Sequence, residues 1–424
     1  MYNPSAQTAL GDGTVANALD VLKERGFVKD VSDEFGLRAA MERPITFYIG
    51  FDATASSLHV GSLEQIMAMA WMQRFGHRPI AIVGGGTTLI GDPTGRTVSR
   101  PILTYEQINQ NLQGLKRQLQ HYLDFGEGKA LMINNADWLT KLNYVEFLRD
   151  IGVHFSVNHM LATDTYRTKL ESESGLSFLE FNYTLLQAYD FLHLYREYGC
   201  ILQCGGSDQW ANSLAGVDLI RKVEGGQAYV MVFPLVATAS GAKMGKTAAG
   251  AVWLDPDLVS PYDYYQYWIN TEDPDVERFL ALYTFLPMEE VRELGRLKGA
   301  DLRRAKEVLA FEATKITHGE EAARESQATS RALFGGGEGA MEGVPTSEVG
   351  RAALEQGIPA SQLLATTGLA SSRGEARRLI QQGGAYVNGR RIESADQVIT
   401  ARDLSDGSLL LRAGKKKYHR VTVS

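Results

Sequence analysis

Tyr48–Leu63 reads YIGFDATASSLHVGSL: an apolar run ending near Phe51, a loop of small and polar residues, then His59-Val60-Gly61-Ser62 opening a helix. A helix start offers unpaired backbone N–H groups and the positive end of a dipole, both favourable to phosphate. Gly61 lets a nucleotide approach the backbone closely. A lone histidine in that place serves equally as a cap or a packing residue, so the stretch marks a place for an anion before it marks an activity.

The same alternation continues outward. ITFYIGF (45–51), PIAIVGG (79–85), KALMINN (129–135), CILQC (200–204) and AYVMVFPLV (228–236) read as buried strands, with helices such as Leu63–Phe75 and Phe178–Tyr198 between them. This pattern predicts an α/β domain over residues 1–250, a doubly wound, Rossmann-like parallel sheet with ligands at the carboxyl ends of its strands. Helical periodicity follows in DPDVERFLALYTFL, PMEEVRELGRL and DLRRAKEVLAFEATKITHG, which predicts an α-helical domain over 251–334. GGGEGAMEG, Gly335–Gly343, marks a flexible linker over 335–345.

A small α+β domain is expected over 346–424. There Ser372 and Glu375 stand at capping-box spacing, Ala376, Leu379 and Ile380 form one apolar face, and Gly383-Gly384 stop the helix. Asn388-Gly389 lies between two strand-like pieces, a strong hairpin signal, and LLLRAGKKKYHRVTV is a second hairpin candidate.

At 424 residues, 44% hydrophobic and 22% charged, the chain has the length and composition of a globular protein of two or three domains. No apolar run approaches the ~18–20 residues a membrane span requires, and the N-terminus lacks targeting features, so the chain reads as cytoplasmic. Cys200 and Cys204 have no second Cys or His cluster, which points to a buried, reduced pair on or beside a strand and against zinc. Net charge is −7, yet Pro345–Ser424 carries 12 Lys or Arg against 7 Asp or Glu. An acidic body with a basic tail suggests a polyanion at the tail, where Arg373, Arg377, Arg378, Arg390 and Arg391 crowd together.

GAKMGKT, Gly241–Thr247, fits the end of a phosphate-binding loop, but Ser240 stands where that loop's first glycine belongs and no good helix follows. A glycine-rich turn with two lysines remains. In FNYTLLQAYDFL (181–192), Tyr183, Gln187 and Asp190 share one helical face where a core helix would be apolar. Such groups require partners, either each other or an absent ligand. YDYYQYW, Tyr262–Trp268, suits core packing, with base stacking as the alternative.

Together these segments resemble the class I aminoacyl-tRNA synthetases. His59-Val60-Gly61-Ser62 is similar to their H-I-G-H signature, and Lys243-Met244-Gly245-Lys246-Thr247 to their K-M-S-K-S loop. LIGDPTGR (89–96), FNYTLLQAYDFL and LQCGGSDQW (202–210) resemble, in order and context, blocks of the bacterial tyrosyl-tRNA synthetases, and the tail resembles that family's small RNA-binding domain.

The resemblance implies an ATP-dependent, AMP-forming tyrosine–tRNA ligase. In that reading Tyr48 and Asp190 bind the phenolic hydroxyl, Asp92, Tyr183 and Gln187 the ammonium group, and Gln209 faces the reacting carboxylate. Asp208 takes the ribose hydroxyls, Gly206 permits close approach, and Asp52, Gly61, His59 and Lys246 complete the nucleotide site. Thr54, His59, Lys243 and Lys246 grip the departing pyrophosphate, joined by Arg96 and Arg100 from GDPTGRTVSR. Mg²⁺ accompanies ATP as a phosphate counter-ion, with no structural metal or tightly bound cofactor. Partners are L-tyrosine, ATP and tRNA(Tyr), the last held partly by Arg373, Arg377, Arg378, Lys415, Lys416 and Lys417. The family implies a homodimer and no membrane or DNA partner.

Two positions depart from the family: Ser62 replaces the second His, and Ile49 stands where some members have Cys. The rival readings are a phosphate-loop NTPase, an RNA-binding protein with a retired synthetase body, and a tryptophanyl enzyme.

Overall fold

The computed structural model describes residues 17–94, 103–173, 175–247, 250–335, 344–405, 407–414 and 417–424. By internal packing these form two units: the described residues up to Gly245 with Arg278–Met288, and Lys246–Glu277 with Glu289–Ser424.

The first unit is built on a six-stranded sheet of β1 (Asp30–Val31), β2 (Thr46–Phe51), β3 (Arg78–Val83), β4 (Leu131–Asn134), β5 (Cys200–Gly206) and β6 (Tyr229–Phe233), in the order β1-β6-β5-β2-β3-β4. Five strands are parallel; only β1 runs antiparallel, Asp30 opposite Val232. The five apolar runs in the sequence are those parallel strands. β1 is an addition that the sequence did not signal, because two residues in a charged stretch make no apolar run. Phe47, Ile80, Ala81, Val83, Val230 and Met231 are buried, as a sheet covered on both faces requires.

Helices α1 (Leu63–Arg74), α2 (Tyr183–Tyr198) and α3 (Trp210–Glu224) pack here. The helix expected over 178–198 is divided: Ser177 and Glu180 form a capping box on a short helix, Phe178–Phe181, before α2 begins. Gly199, at φ 60°, ends α2 in the left-handed conformation and hands the chain to β5 within one residue. Cys200 and Cys204 are both buried on β5 and form no disulfide. From β2 the chain winds outward through β3 and β4, then returns to β5 on the other side of β2. The switch point lies between β2 and β5, where a doubly wound sheet opens a crevice at the carboxyl ends.

In the second unit α4 (Pro261–Ile269), α5 (Leu302–His318) and α6 (Glu320–Gly335) pack together. Tyr262, Tyr264, Tyr265 and Trp268 are fully buried, and the Tyr264 hydroxyl accepts a hydrogen bond from Thr317 at 2.9 Å. These rings are core, so base stacking by YDYYQYW is set aside. Most of the expected linker, 336–343, lies outside the described residues.

The tail carries β7 (Thr346–Val349), β8 (Ala385–Val387), β9 (Arg390–Arg391), β10 (Ser408–Ala413) and β11 (Lys417–Val423), in the order β9-β8-β10-β11-β7. Helix α7 (Arg373–Gln381) buries Ala376 and Ile380 against Leu409, Leu411 and Val421. Both expected hairpins form, and Asn388 and Gly389 take φ 45° and 76°, the left-handed pair that a two-residue hairpin loop favours. Ser372 caps α7, but Glu375 bonds back to the Ser371 N–H at 2.6 Å rather than to that of Ser372, so the capping box is displaced by one residue. No helix among the described residues is long and apolar enough to cross a membrane.

Candidate active site

The carboxyl ends of β2, β3 and β5 surround a cavity of about 260 Å³ lined by Tyr48, Asp92, Tyr183, Gln187, Asp190 and Gln209, with Asp52, Gly206 and Asp208 alongside. All six residues assigned to the amino acid therefore meet in one place, together with three of those assigned to the nucleotide.

At the cavity's deep end Asp190, 4% exposed on α2, accepts hydrogen bonds from Asn135 Nδ2 at 2.9 Å and Trp138 Nε1 at 2.8 Å. Burial pushes its carboxyl up to about 7, and the two donors oppose that rise. Tyr48, packed edge-on against Phe191 with ring centroids 5.3 Å apart, has a buried hydroxyl without a hydrogen-bond partner. Burial, then the Asp190 charge, raises its phenol well above the ordinary range, so it stays a neutral donor. An ionised acceptor and an unused donor side by side suit a ligand hydroxyl, which both gives and takes a hydrogen bond.

Nearer the mouth Asp92 accepts from the Thr94 N–H at 2.9 Å and from Gln209 Nε2 at 2.8 Å. Desolvation raises its carboxyl; hydrogen bonds from Thr94 and Gln209 hold the rise back, while Asp52 adds to it. The buried Gln187 Oε1 has no hydrogen-bond partner. A cation between Asp92 and Gln187 would satisfy both. Asp208 lies at the rim, where desolvation raises its carboxyl while nearby N–H groups and the Lys243 charge oppose the shift. The turn at Ser207–Gln209 starts from Gly206, which has no side chain to cap it. A Cβ on Gly206 would lie 2.6 Å from an Asp208 oxygen.

The two signature loops meet backbone to backbone. A Cβ on Gly61 would lie 3.0 Å from the Met244 carbonyl oxygen, and one on Gly245, at φ +74°, only 2.7 Å from the Gly61 nitrogen. Nothing but glycine fits this approach without displacement. His59 caps the turn before α1, its Nδ1 accepting from the Gly61 N–H at 2.9 Å; when the ring is neutral its proton is therefore on Nε2. The loop between β2 and α1 is braced from helix Tyr105–Leu119: Asn111 Nδ2 donates to the Ala53 carbonyl at 2.8 Å, and Gln118 Oε1 accepts from the Leu58 N–H at 2.8 Å.

Thr54 and Lys243 are exposed and, with His59 and Gly61, do not line the cavity. Lys246 begins a short ribbon, Lys246–Thr247 paired with Gly250–Ala251; this is a ribbon and not the helix that a phosphate-binding NTPase loop leads into. Arg96, Arg100, Lys415 and Lys416 lie outside the described residues. In the tail Arg373, Arg377, Arg378 and Lys417 are exposed, and Arg377 pairs with Asp396 at 3.4 Å.

Sequence reasoning missed Asn135, Trp138, Thr94, Gln203 and Asn212. Asn135 follows directly on the apolar strand LMIN, where a doubly wound sheet presents functional side chains, and Gln203 interrupts CILQC. Those signals were available. Asn212 and Trp138 sit among ordinary helical residues and gave none.

The family described as tRNA synthetases class I (W and Y) matches residues 40–335, and the Tyrosine--tRNA ligase SYY-like C-terminal domain matches residues 338–421. A tyrosine–tRNA ligase of Desulfosudis oleivorans is 57% identical over 96% of this chain and 99% of its own length. One from Caldanaerobacter subterraneus subsp. tengcongensis is 55% identical with the same coverage. Among solved structures, a C-terminally truncated mitochondrial tyrosyl-tRNA synthetase of Aspergillus nidulans superposes with a TM-score of 0.69 at 29% identity, over 78% of this chain and 98% of that one.

Proposed function

The chain belongs to the class I tRNA synthetases of the tryptophan and tyrosine type, and from that premise we infer that it is a tyrosine–tRNA ligase. It joins L-tyrosine to ATP, giving tyrosyl-adenylate and pyrophosphate, and passes the tyrosine to the 3′ end of tRNA(Tyr). The observation that carries the choice of amino acid is the pairing of Asp190 with the unpartnered Tyr48 hydroxyl. A tyrosine hydroxyl donates to Asp190 and accepts from Tyr48. An indole N–H could meet Asp190 but offers Tyr48 no acceptor, and phenylalanine offers Asp190 no further donor and leaves the Tyr48 hydroxyl unpaired. Rejection of this kind reaches about 10⁵-fold, a figure that comes from tyrosyl-tRNA synthetases themselves and not from this chain.

Asp92, Tyr183 and Gln187 would hold the ammonium group, leaving the carboxylate toward Gln209 and the α-phosphate. That carboxylate is already ionised near neutrality, so adenylate formation requires no general base. The protein's part is to align the reactants and to neutralise charge that grows on the departing pyrophosphate. Thr54, His59 through Nε2–H, Lys243 and Lys246 are the proposed donors, with Arg96 and Arg100 in the same role. Asp208, Gly206, Asp52 and Gly61 would receive the nucleotide. ATP enters with Mg²⁺ as its phosphate counter-ion. The basic tail would hold tRNA phosphates through Arg373, Arg377, Arg378 and Lys415–Lys417, in a homodimer.

Charging of tRNA by the purified protein, offered Tyr, Phe and Trp in turn, tests this reading. Tyrosine alone should be transferred. Transfer of Trp would overturn the assignment of Asp190 and Tyr48, and no transfer by folded protein supplied with ATP and Mg²⁺ would overturn the activity.

A further inference from the structure

We propose that Asn212 is a positioning residue for tyrosine binding: together with Thr184 and Thr94 it holds Asp92 in the orientation that receives the ammonium group. Asn212, 5% exposed on α3, bridges α2 and the loop that carries Asp92. Its Oδ1 accepts from the Thr184 hydroxyl of α2 at 2.8 Å, and its Nδ2 donates to the Thr94 hydroxyl at 3.3 Å and approaches Gln209 Oε1 at 3.5 Å. Thr94 in turn donates its N–H to the Asp92 carboxylate at 2.9 Å, its hydroxyl lies close enough to hold that carboxyl's rise back, and Gln209 Nε2 supplies another donor to the same group. Behind Thr184 stands the buried Tyr166, its hydroxyl 2.6 Å from the Thr184 oxygen.

Counting protons gives the chain a direction. An amide oxygen only accepts, so the Thr184–Asn212 bond takes the single Thr184 hydrogen and leaves the Tyr166 hydrogen to be shared between Thr184 and the Phe181 carbonyl, 2.8 Å away; the amide nitrogen only donates, so the single Thr94 hydrogen is left for Asp92. Every hydrogen bond in the run from Thr184 therefore points toward the carboxylate, and such aligned bonds strengthen one another in a low-dielectric interior. Thr184 is the residue after Tyr183, which lines the cavity, so the run also ties the two walls of the ammonium site together. Asn212 itself does not line that cavity and would act only through its neighbours.

The proposal rests on reading Asp92 as the ammonium site, and the test separates the two. L-Tyrosinol and 3-(4-hydroxyphenyl)propan-1-ol differ only in the ammonium group, so the ratio of their dissociation constants isolates that group. Asp92→Asn should collapse the ratio; if it does not, the ammonium reading itself fails. Given that collapse, Asn212→Ala should shrink the ratio about tenfold and Thr184→Val about threefold, through weaker tyrosinol binding alone, the scale of one neutral hydrogen bond. Thr184→Ser, which keeps the hydroxyl, should restore it. A ratio unchanged in both Asn212→Ala and Thr184→Val, or a loss shared equally by both ligands, would overturn the positioning role while leaving the ammonium site in place.

Discussion

The Asp190–Tyr48 end of the cavity and the two signature loops handle charge in opposite ways. Asp190 and Tyr48 are buried and fixed before any ligand arrives, Asp190 by two donors and Tyr48 by packing. Thr54 and Lys243 stand exposed, and what is fixed around them is backbone: the Gly61–Gly245 approach and the braces from helix Tyr105–Leu119. The contrast follows from what each end would have to do under the proposed assignment of residues. Discriminating a hydroxyl requires unpaired groups held in a dry site, where leaving them unpaired is costly. Gripping pyrophosphate only as its charge develops requires cations that are hydrated in the resting enzyme and bind when the reaction reaches them.

The largest effect should come from breaking the buried end. Asp190→Ala removes the ionised acceptor and strands Asn135 and Trp138, and kcat/KM for tyrosine in pyrophosphate exchange should fall about 10³-fold. A loss under tenfold would mean that the cavity does not read the hydroxyl. On the loop side, Gly245→Ala places a methyl 2.7 Å from the Gly61 nitrogen at φ +74°. Misplacing the loop in this way should lower kcat by about 10²-fold with KM for tyrosine unchanged; a change in KM alone would erase the distinction between the two regions.

A smaller and graded effect sharpens the contrast with pH. Because burial raises Asp190 to about 7, the neutral acid dominates below that value and the ionised acceptor above it. The kcat/KM for tyrosine should therefore level off above about pH 7 and fall up to tenfold for each unit below. An acid limb near the ordinary carboxylate value would contradict the dry site. The smallest effect belongs to the tail: replacing Arg373, Arg377 and Arg378 with Ala should raise KM for tRNA several-fold and flatten its dependence on salt, the log–log slope falling by about one for each phosphate no longer held. Pyrophosphate exchange should be untouched.

Much of this was legible in the chain. The parallel strands announced themselves as apolar runs, and Tyr183, Gln187 and Asp190 stood out because a helix rarely offers three polar groups on one buried face. The family resemblance then gave those residues roles that spacing could not. What stayed hidden depends on the meeting of distant segments. Trp138 reaches Asp190 across 52 positions, Asn212 reaches Thr94 across 118, and the Gly61–Gly245 approach exists only once the sheet is folded. A two-residue edge strand such as β1 carries too little pattern to be seen at all.

The proposed function divides a site that selects in the ground state from loops that act in the transition state. Single-turnover formation of tyrosyl-adenylate, measured across tyrosine concentrations for the parent chain and for Lys243→Ala, separates the two in one experiment. The rate constant should fall about 10²-fold while the tyrosine dissociation constant stays within about twofold. Weaker tyrosine binding with an unchanged rate constant would overturn the division.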